Sequence, residues 1–473
     1  MRSERAVVAA LALAGVIVAA VVPTHPNYDS YYHLVWGREL LDGMAPSFQA
    51  YQAPTQHPLF LVVCALVGLA GDPADRVLVA LTAVALVLLA WAVFRLTDTI
   101  FGRWPALLAA FFTGSSFAFL LYAARAYVDI PFLALVLWAA ALEVRGARPR
   151  TVAVTLAVAG LLRPEAWVLA GLYWLARGPV GERAPRLDLL LLAAAAPLAW
   201  ALVDLSVTGD PLYSLHATSD LADELGRNTG LSAVPGSFVS FLAATVRPPV
   251  AAAAVIGVAI AWRLRGGPRS FAVPLALFVA GALTFVATGV AGLSVLPRYL
   301  TVPAVALCVF AGYGVAGWTT LAPDAPGRRP WRALTALAVG AGLVFFAVKA
   351  PVLERLVTEL RFTRATHDEL VTLLEDPKVQ AGMRCGPLTF PNFRLVPDAR
   401  WILDLPADRV GARSARRRES GVAVFVVGQK ALKRYGFADG ASPRTNAPDP
   451  GFAPVARVGR FSAYASCPPP PAA

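Results

Sequence analysis

The sequence carries little charge for its length. Only 15% of its 473 residues are Asp, Glu, Lys or Arg, whereas 57% are hydrophobic. A soluble protein of this size needs more charge to cover its surface, so the composition excludes a purely soluble chain. The sequence has instead a series of long apolar runs bounded by Arg, Pro or Gly. This pattern is typical of a protein that crosses the lipid bilayer many times.

The sequence also lacks the short motifs of several enzyme classes. It contains no Walker phosphate loop, no GxSxG and no HExxH, so no such pattern indicates P-loop nucleotide binding, serine-hydrolase chemistry or a helical zinc site. Basic residues outnumber acidic ones by 42 to 30. Because the arginines cluster in short loops between apolar runs, this excess indicates membrane orientation, and no nucleic-acid partner is expected.

Eleven apolar runs are candidate membrane spans, although several are shorter than the roughly 20 residues of a full crossing. The predicted spans are residues 6–22, 77–95, 105–122, 130–144, 151–163, 165–177, 188–206, 248–264, 270–288, 299–318 and 333–349. With the N-terminus in the cytoplasm, the arginines concentrate in the inside loops, as the positive-inside rule requires. This holds only if the apolar stretch Pro58–Gly71 does not span, and its length favours an interfacial or re-entrant helix.

The same topology places three large segments outside the cytoplasm: residues 23–76, 207–247 and the tail 350–473. The tail has strand-like runs at Gly421–Gly428 and Phe461–Cys467, which predict a small α/β or mostly β domain with a disordered proline-rich end. We therefore expect an all-α plasma-membrane module, 1–349, followed by an extracytoplasmic domain, 350–473.

Two cysteines of the tail, Cys385 and Cys467, would face an oxidising compartment in this topology. A disulfide between them would close a long loop and stabilise the domain. The alternative is two free thiols.

A carboxylate stands at the start of a predicted amphipathic helix in the first outer segment. Asp29 is followed by an apolar stripe that includes Tyr32, Val35 and Trp36, which predicts a helix lying along the membrane surface. Asp29 then either faces a cavity or simply caps the helix. His33 follows one helical turn later, so the two side chains offer a weak candidate site for a divalent ion; no cofactor or metal is otherwise expected.

Three further groups of charged residues lie at predicted outer ends of spans: Arg125 with Asp129, Arg163 with Glu165, and Arg298 with Tyr299. Arg125 and Asp129 are four residues apart, so an ordinary ion pair is the alternative for them, and Arg163 has Glu165 as an alternative partner to a phosphate. The planar fork of Arg suits two phosphate oxygens. Arginines at helix ends also serve as membrane anchors, which is the alternative for Arg298.

Taken together, these residues resemble the GT-C superfamily of membrane glycosyltransferases. The likeness is to the bacterial branch that includes protein O-mannosyltransferases and the lipid A aminoarabinose transferase. The matching motifs, in matching order over roughly the first 180 residues, are Tyr28-Asp29, His57-Pro58-Leu59, Phe101-Gly102-Arg103, Asp129-Ile130-Pro131 and Leu162-Arg163-Pro164-Glu165. The tail from Ala350 resembles no family.

The resemblance implies an inverting glycosyltransferase that takes a sugar from a polyprenyl-phosphate carrier and passes it to an extracytoplasmic acceptor. It implies Asp29 as the general base and Asp129 as a second catalytic carboxylate. The candidates for binding the donor and its lipid phosphate are His33, His57, Arg125, Arg163, Glu165, Arg298 and Tyr299. Many members have Asp-Glu at the first site, whereas Ser30 follows Asp29 here, so a site with one carboxylate is expected.

Two other functions fit a chain of this kind. A transporter or flippase for an envelope lipid or glycan precursor would tend to show internal repeats and broken helices near the midplane. We find no obvious repeat, and the ionisable residues collect at the outer boundary. A non-catalytic envelope-assembly protein would use the tail as its working part.

Overall fold

The computed structural model describes residues 2–178, 186–349, 351–436 and 443–467. The centre of the predicted inside loop between the sixth and seventh spans, and the proline-rich end, lie outside these ranges. The described residues up to 349 form sixteen α-helices: α1 Arg2–Val21, α2 Tyr28–Leu41, α3 Pro58–Gly68, α4 Ala74–Phe101, α5 Arg103–Gly114, α6 Phe117–Ala124, α7 Asp129–Val144, α8 Pro149–Gly160, α9 Glu165–Arg177, α10 Leu187–Thr208, α11 Tyr213–Glu224, α12 Val234–Val246, α13 Pro248–Leu264, α14 Ala272–Val290, α15 Thr301–Ala316 and α16 Arg328–Val348.

Six segments of the described chain are long and apolar enough to cross a bilayer, or up to eight if two sharply bent helix pairs each count as one span. The six are Glu4–Val21, Ala74–Phe101, Leu187–Thr208, Pro268–Val290, Pro297–Thr320 and Arg328–Val348. The predicted number of eleven is not confirmed. The helices α8 and α9 have 12 and 13 residues, which reach only about 18–20 Å across a hydrocarbon core of about 30 Å.

The predicted spans 130–144 and 248–264 correspond to α7 and α13, which have 16 and 17 residues, fewer than the roughly 20 of a full crossing. Two helix pairs are also sharply bent. The predicted span 105–122 is divided between α5 and α6, which meet at 56°, and α13 turns by 101° from the helical segment Leu231–Val246 that contains α12. A continuous apolar run therefore does not guarantee a straight helix, because the direction of the chain can change at a short break within it.

The most deeply buried helix of the bundle is α15, which packs against α5, α13 and α14. Close packing is possible because glycines face the neighbouring backbones. A Cβ atom on Gly312 would overlap the carbonyl of Pro105, and one on Gly314 would overlap the carbonyl of Ala253. This packing fixes the N-terminal end of α15, where the 3₁₀ turn Pro297–Leu300 carries Arg298.

The helix α2 is buried within the protein. Its residues Ser30–Gly37 are buried, and it packs against α3. The stripe of Tyr32, Val35 and Trp36 is apolar and buried, and the opposite face of the helix is covered by other parts of the chain as well. The helix α3 has 11 residues, too few to cross the bilayer, as predicted.

The residues after 350 form a mixed sheet flanked by helices. Its helices are α17 Pro351–Leu374, α18 Pro377–Met383 and α19 Val396–Leu403, and its strands are β1 Leu388–Phe390, β2 Val410–Ala412, β3 Gly421–Val426, β4 Ala453–Val458 and β5 Phe461–Ser466; a short helical turn, Gln429–Ala431, follows β3. The strand order is β2-β1-β3-β5-β4. The pairs β2–β1 and β1–β3 are parallel, whereas β3–β5 and β5–β4 are antiparallel.

Both predicted strand-like runs contain strands, β3 and β5, which pair from Gly421 with Ser466 to Val426 with Phe461. The structure joins Cys385 and Cys467 in a disulfide, with Cα atoms 5.1 Å apart. This bond ties the segment after α18 to the end of β5, and it closes a segment that contains the whole sheet.

This C-terminal region rests on the first outer segment through charged contacts. Arg400 of α19 donates to Glu39 at 2.6 Å and to Ser47 at 2.9 Å, and only 1% of its side chain is exposed. In return, Arg38 of α2 donates to Asp404 at 2.6 Å and stacks on Trp401. The contacts hold α19 against α2, whose first residues line the candidate site.

Candidate active site

A cavity of about 390 Å³ opens between the start of α2, the turn before α15 and the C-terminal region. Its size is within the range of roughly 300–1,000 Å³ that is usual for small-molecule sites. Its charged lining consists of five arginines and two aspartates: Arg125, Arg227, Arg298, Arg394, Arg434, Asp29 and Asp398. The surplus of positive charge favours an anionic ligand.

Asp29 and Arg298 form an ion pair in the wall of this cavity. The Arg298 guanidinium donates to the Asp29 carboxylate at 2.8 Å, and about a quarter of each side chain is exposed. The cap of α2 is Asn27, whose side-chain oxygen accepts from the backbone N–H groups of Asp29 and Ser30. The alternative that Asp29 caps α2 is therefore excluded. Asn27 caps the helix, and the Asp29 carboxylate lies at the cavity.

Two of the cavity arginines have unused donors. Arg125 donates to the backbone carbonyl of Pro26 at 3.1 Å, not to Asp129, so the ion pair suggested by their spacing is not formed. The buried Nε atoms of Arg125 and Arg298 have no hydrogen-bond partner within the described ranges. A buried donor without a partner is costly, and the positive charge of both side chains at the cavity favours an anionic ligand.

A second charged cluster lies beneath the cavity and is closed to solvent. Arg163 donates to Asp129 at 2.5 Å and to Glu165 at 2.5 and 3.0 Å, with Arg163 and Asp129 only 3% and 0% exposed. The ring of Tyr299 lies between the two clusters, with its centre 5.4 Å from the Arg163 guanidinium and 5.9 Å from that of Arg298. This second cluster supports the cavity wall and does not itself line the cavity.

The two histidines expected to bind substrate are also buried away from the cavity. The ring of His33 stacks on that of His57 at 5.2 Å, and its Nδ1 atom contacts the backbone carbonyl of Asp29 at 2.7 Å. Burial lowers the pKa of His33 to about 4 and, together with the nearby His33 and Arg163, holds the pKa of His57 well below its usual range. Both rings are therefore neutral at pH 7, and His33 is not arranged with Asp29 as a pair of metal ligands.

The low pKa of His33 predicts an acid-sensitive fold. As the pH falls below about 6.5 the unfolded chain takes up a proton that the folded protein resists until about pH 4, so stability declines across this window, by up to about 3 kcal/mol for this one group. Thermal unfolding of the detergent-purified protein between pH 7.5 and 4.5 measures this. His33→Gln should flatten the decline, whereas His216→Gln, at an exposed position on α11, should not. An unchanged profile in His33→Gln would contradict the prediction.

The structure thus brings three of the sequence-predicted residues into the cavity: Asp29, Arg125 and Arg298. It places the others behind the cavity wall: Asp129, His33, His57, Arg163, Glu165 and Tyr299. Sequence reasoning missed four charged lining residues: Arg227, Arg394, Asp398 and Arg434. Arg227 lies in the predicted outer segment 207–247 and could have been suspected. The other three belong to the tail, where no motif distinguishes them from surface residues.

The helical bundle, the short buried helices before α4 and the cavity above them define the chain as a multi-pass membrane protein with the GT-C fold. It is similar to ArnT, the aminoarabinose transferase, from Cupriavidus metallidurans. The crystal structure of ArnT bound to undecaprenyl phosphate matches with a TM-score of 0.57 at 12% identity, covering 98% of each chain. The apo structure of the same protein matches with a TM-score of 0.52 at 13% identity, again over 98% of each chain.

An oligosaccharyltransferase from Archaeoglobus fulgidus, solved with a tethered acceptor peptide, is also similar. It matches with a TM-score of 0.50 at 13% identity, covering 98% of this chain and 74% of that one. No protein-family model and no curated protein matches the sequence. At these identities the likeness establishes the fold, and the resemblance to the GT-C superfamily is confirmed at that level.

Proposed function

We propose that this protein is an inverting glycosyltransferase that moves a sugar from a polyprenyl-phosphate carrier to an acceptor outside the cytoplasm. The observation that carries the proposal is the Asp29–Arg298 pair at 2.8 Å in the wall of an arginine-lined cavity. The fold supports it, because both similar proteins are glycosyltransferases of the GT-C type and the ArnT structure contains undecaprenyl phosphate.

The cavity charge suits the leaving group of such a reaction. When the bond between the sugar and the phosphate breaks, negative charge accumulates on the phosphate oxygens, and cationic donors already in place stabilise it. Arg298 and Arg125 both line the cavity, and their guanidinium groups would supply such donors. A phosphate beside Arg298 would share that guanidinium with Asp29, which would bring the carboxylate next to the reacting carbon.

Asp29 is the proposed general base. The acceptor oxygen forms a bond to the anomeric carbon while the carbon–oxygen bond to phosphate breaks on the opposite side. The bonding electron pair leaves with the lipid phosphate, and the hydroxyl proton passes to the Asp29 carboxylate. Attack opposite the leaving group inverts the anomeric centre, and a single positioned carboxylate is sufficient for it.

An apolar groove is available for the lipid tail. A cavity of about 210 Å³ lies between α7, α8, α9 and α14, with lining residues such as Val136, Ala140 and Leu277. It begins seven residues along α7 from Asp129, a rise of about 10 Å. We place the polyprenyl chain of the donor in this groove.

We also propose that residues 1–349 form the catalytic module and residues 350–473 an extracytoplasmic domain that covers the cavity. The sheet has its own hydrophobic core, with Leu388, Val424 and Phe461 among its members, and the disulfide favours an oxidising compartment. A C-terminal reporter enzyme that is active only in the cytoplasm should be silent here. A signal from the reporter would show that the C-terminal domain lies in the cytoplasm and would contradict the proposed orientation.

Release of lipid phosphate tests the proposed activity. Wild-type protein in detergent, incubated with a panel of polyprenyl-phosphate sugars, should release polyprenyl phosphate from at least one of them. Arg298→Ala should lower kcat/KM by at least about tenfold, since it removes a charge-assisted contact of roughly 1.5–3 kcal/mol. Arg332→Ala, at an exposed arginine on α16, is the matched control and should have no effect. Equal activity in both variants would exclude Arg298 as a residue that binds the lipid phosphate of the donor.

A further inference from the structure

A cluster of metal-ligating side chains joins the first outer segment to the C-terminal region at the edge of the cavity. It consists of His25 from the link between α1 and α2, His367 from α17 and Asp398 from α19. One potential ligand atom from each lies within 4.8 Å of the other two. His25, His367 and Asp398 are 3%, 8% and 6% exposed, so the cluster is buried and is not formed by surface charges.

The hydrogen bonds of His25 set its tautomer. Its Nε2 atom lies 3.1 Å from the backbone carbonyl of Thr363, and since a carbonyl can only accept, Nε2 donates. The Nδ1 atom of the neutral ring therefore carries a lone pair. It is buried and has no partner among the described residues. Histidine ligands of metals commonly show this arrangement, with one nitrogen held by a carbonyl and the other directed at the ion.

The other two members lie close together but are not hydrogen-bonded to each other. The Nδ1 atom of His367 is buried and unpaired within the described ranges, and it lies 3.6 Å from an Asp398 carboxylate oxygen, too far for a hydrogen bond. The rings of His25 and His367 stack with their centres 4.7 Å apart. Two buried imidazoles, each with an unpaired nitrogen, thus lie beside a buried carboxylate.

We propose that His25, His367 and Asp398 bind one divalent transition-metal ion, with Zn²⁺ as the best fit. Two imidazole nitrogens and one carboxylate oxygen suit zinc, whereas Ca²⁺ and Mg²⁺ prefer ligand sets made of oxygen. Nitrogens in a tetrahedral zinc site lie about 3.3 Å apart. Binding therefore requires the three groups to close by roughly an ångström or more, which side-chain rotation can supply.

The surrounding charge restricts the kind of ion. Arg125 lines the same cavity as His25 and Asp398, so its positive charge opposes a cation, and Asp398 supplies only one compensating negative charge. An ion held mainly by electrostatic attraction to carboxylates is disfavoured here. An ion with strong affinity for neutral imidazole is compatible with this charge.

The bound ion would connect the two halves of the cavity. His25 belongs to the segment that leads into Asp29, whereas His367 and Asp398 belong to the region that covers the cavity. The three ligands leave a fourth coordination position open, and His25 and Asp398 both line the cavity. That position is available to water or to an anionic group of a molecule in the cavity.

Metal retention by the untagged, full-length protein tests this proposal without any assay of sugar transfer, so its outcome is independent of the proposed function. The detergent-purified protein is stripped with a chelator, exposed to ZnSO₄, desalted and analysed for zinc. Wild type should retain one zinc per chain and unfold at a higher temperature with zinc than without. His367→Ala and Asp398→Asn should lose the retained zinc and the thermal shift.

His216→Ala is the matched control, because it also removes a histidine beside a carboxylate, here Asp210 at 2.7 Å, but at an exposed position. It should retain zinc like wild type. Absence of retained zinc in the wild type, or equal retention by His367→Ala, would overturn the proposal. Visible absorption of the Co²⁺-loaded wild type, intense for four-coordinate cobalt, gives a reading that does not depend on any variant folding.

Discussion

Asp29→Asn is expected to reduce sugar transfer by about 10²- to 10⁴-fold, the usual contribution of a positioned general base. The amide has the size of the carboxylate but cannot take the acceptor proton. Because Asn27 caps α2 and the Asp29 side chain does not, the helix should form as before. The measurement is the initial rate of transfer from a polyprenyl-phosphate sugar, together with thermal unfolding to confirm that the variant is folded.

Asp42→Asn is the matched control for this variant. Asp42 lies at the other end of the same helix, where it is exposed, so the substitution is chemically identical but remote from the cavity. It should leave the rate unchanged. Transfer by Asp29→Asn at a rate close to that of Asp42→Asn would eliminate Asp29 as the base, whatever the role of the surrounding arginines.

Arg163→Ala is expected to have the largest effect on stability, about 3–5 kcal/mol, because it leaves buried carboxylates without their cation. Arg163 is the shared donor to Asp129 and Glu165, and Asp129 is 0% exposed. Denaturant or thermal unfolding in detergent measures the loss. Adding Asp129→Asn to the Arg163→Ala protein should recover part of it, since the buried charge is then removed.

Arg150→Ala provides the comparison, since Arg150 donates to Asp188 at a similar distance of 2.7 Å but is 71% exposed. Exposed pairs of this kind contribute about 0–1 kcal/mol. Equal losses in Arg150→Ala and Arg163→Ala would show that burial of the Arg163 cluster is not what determines its importance. Failure of Asp129→Asn to restore any stability would contradict the charge argument.

The architecture was predictable where one strong local signal was sufficient. Apolar runs revealed a membrane bundle, and strand-like runs between turn residues located β3 and β5. The number of spans was not predictable, because hydropathy measures composition and not direction. The segments α5–α6 and α12–α13 bend by 56° and 101°, and composition alone does not give the angle of such a bend.

The candidate site was predictable only where a local sequence pattern marked a residue. Asp29 was found because it follows the first span and belongs to a recognisable dipeptide, Tyr28-Asp29. Its partner Arg298 is 269 residues away, and the spacing of Arg125 and Asp129 suggested a different pair from the one that forms. Local spacing describes neighbours on one helix, whereas the partner of a buried charge is set by how separate helices pack.

The sequence by itself determined that this chain is a membrane protein with a structured tail, and it singled out Asp29 and the two tail cysteines. These features follow from the free energy of transfer of each residue between water, lipid and protein interior, which depends on residue type and short-range order. Only the tertiary structure decided that Arg298 meets Asp29, that Arg163 is buried with Asp129, and that the tail completes the cavity. Those contacts join segments far apart in the chain, so they depend on the packing of the whole fold.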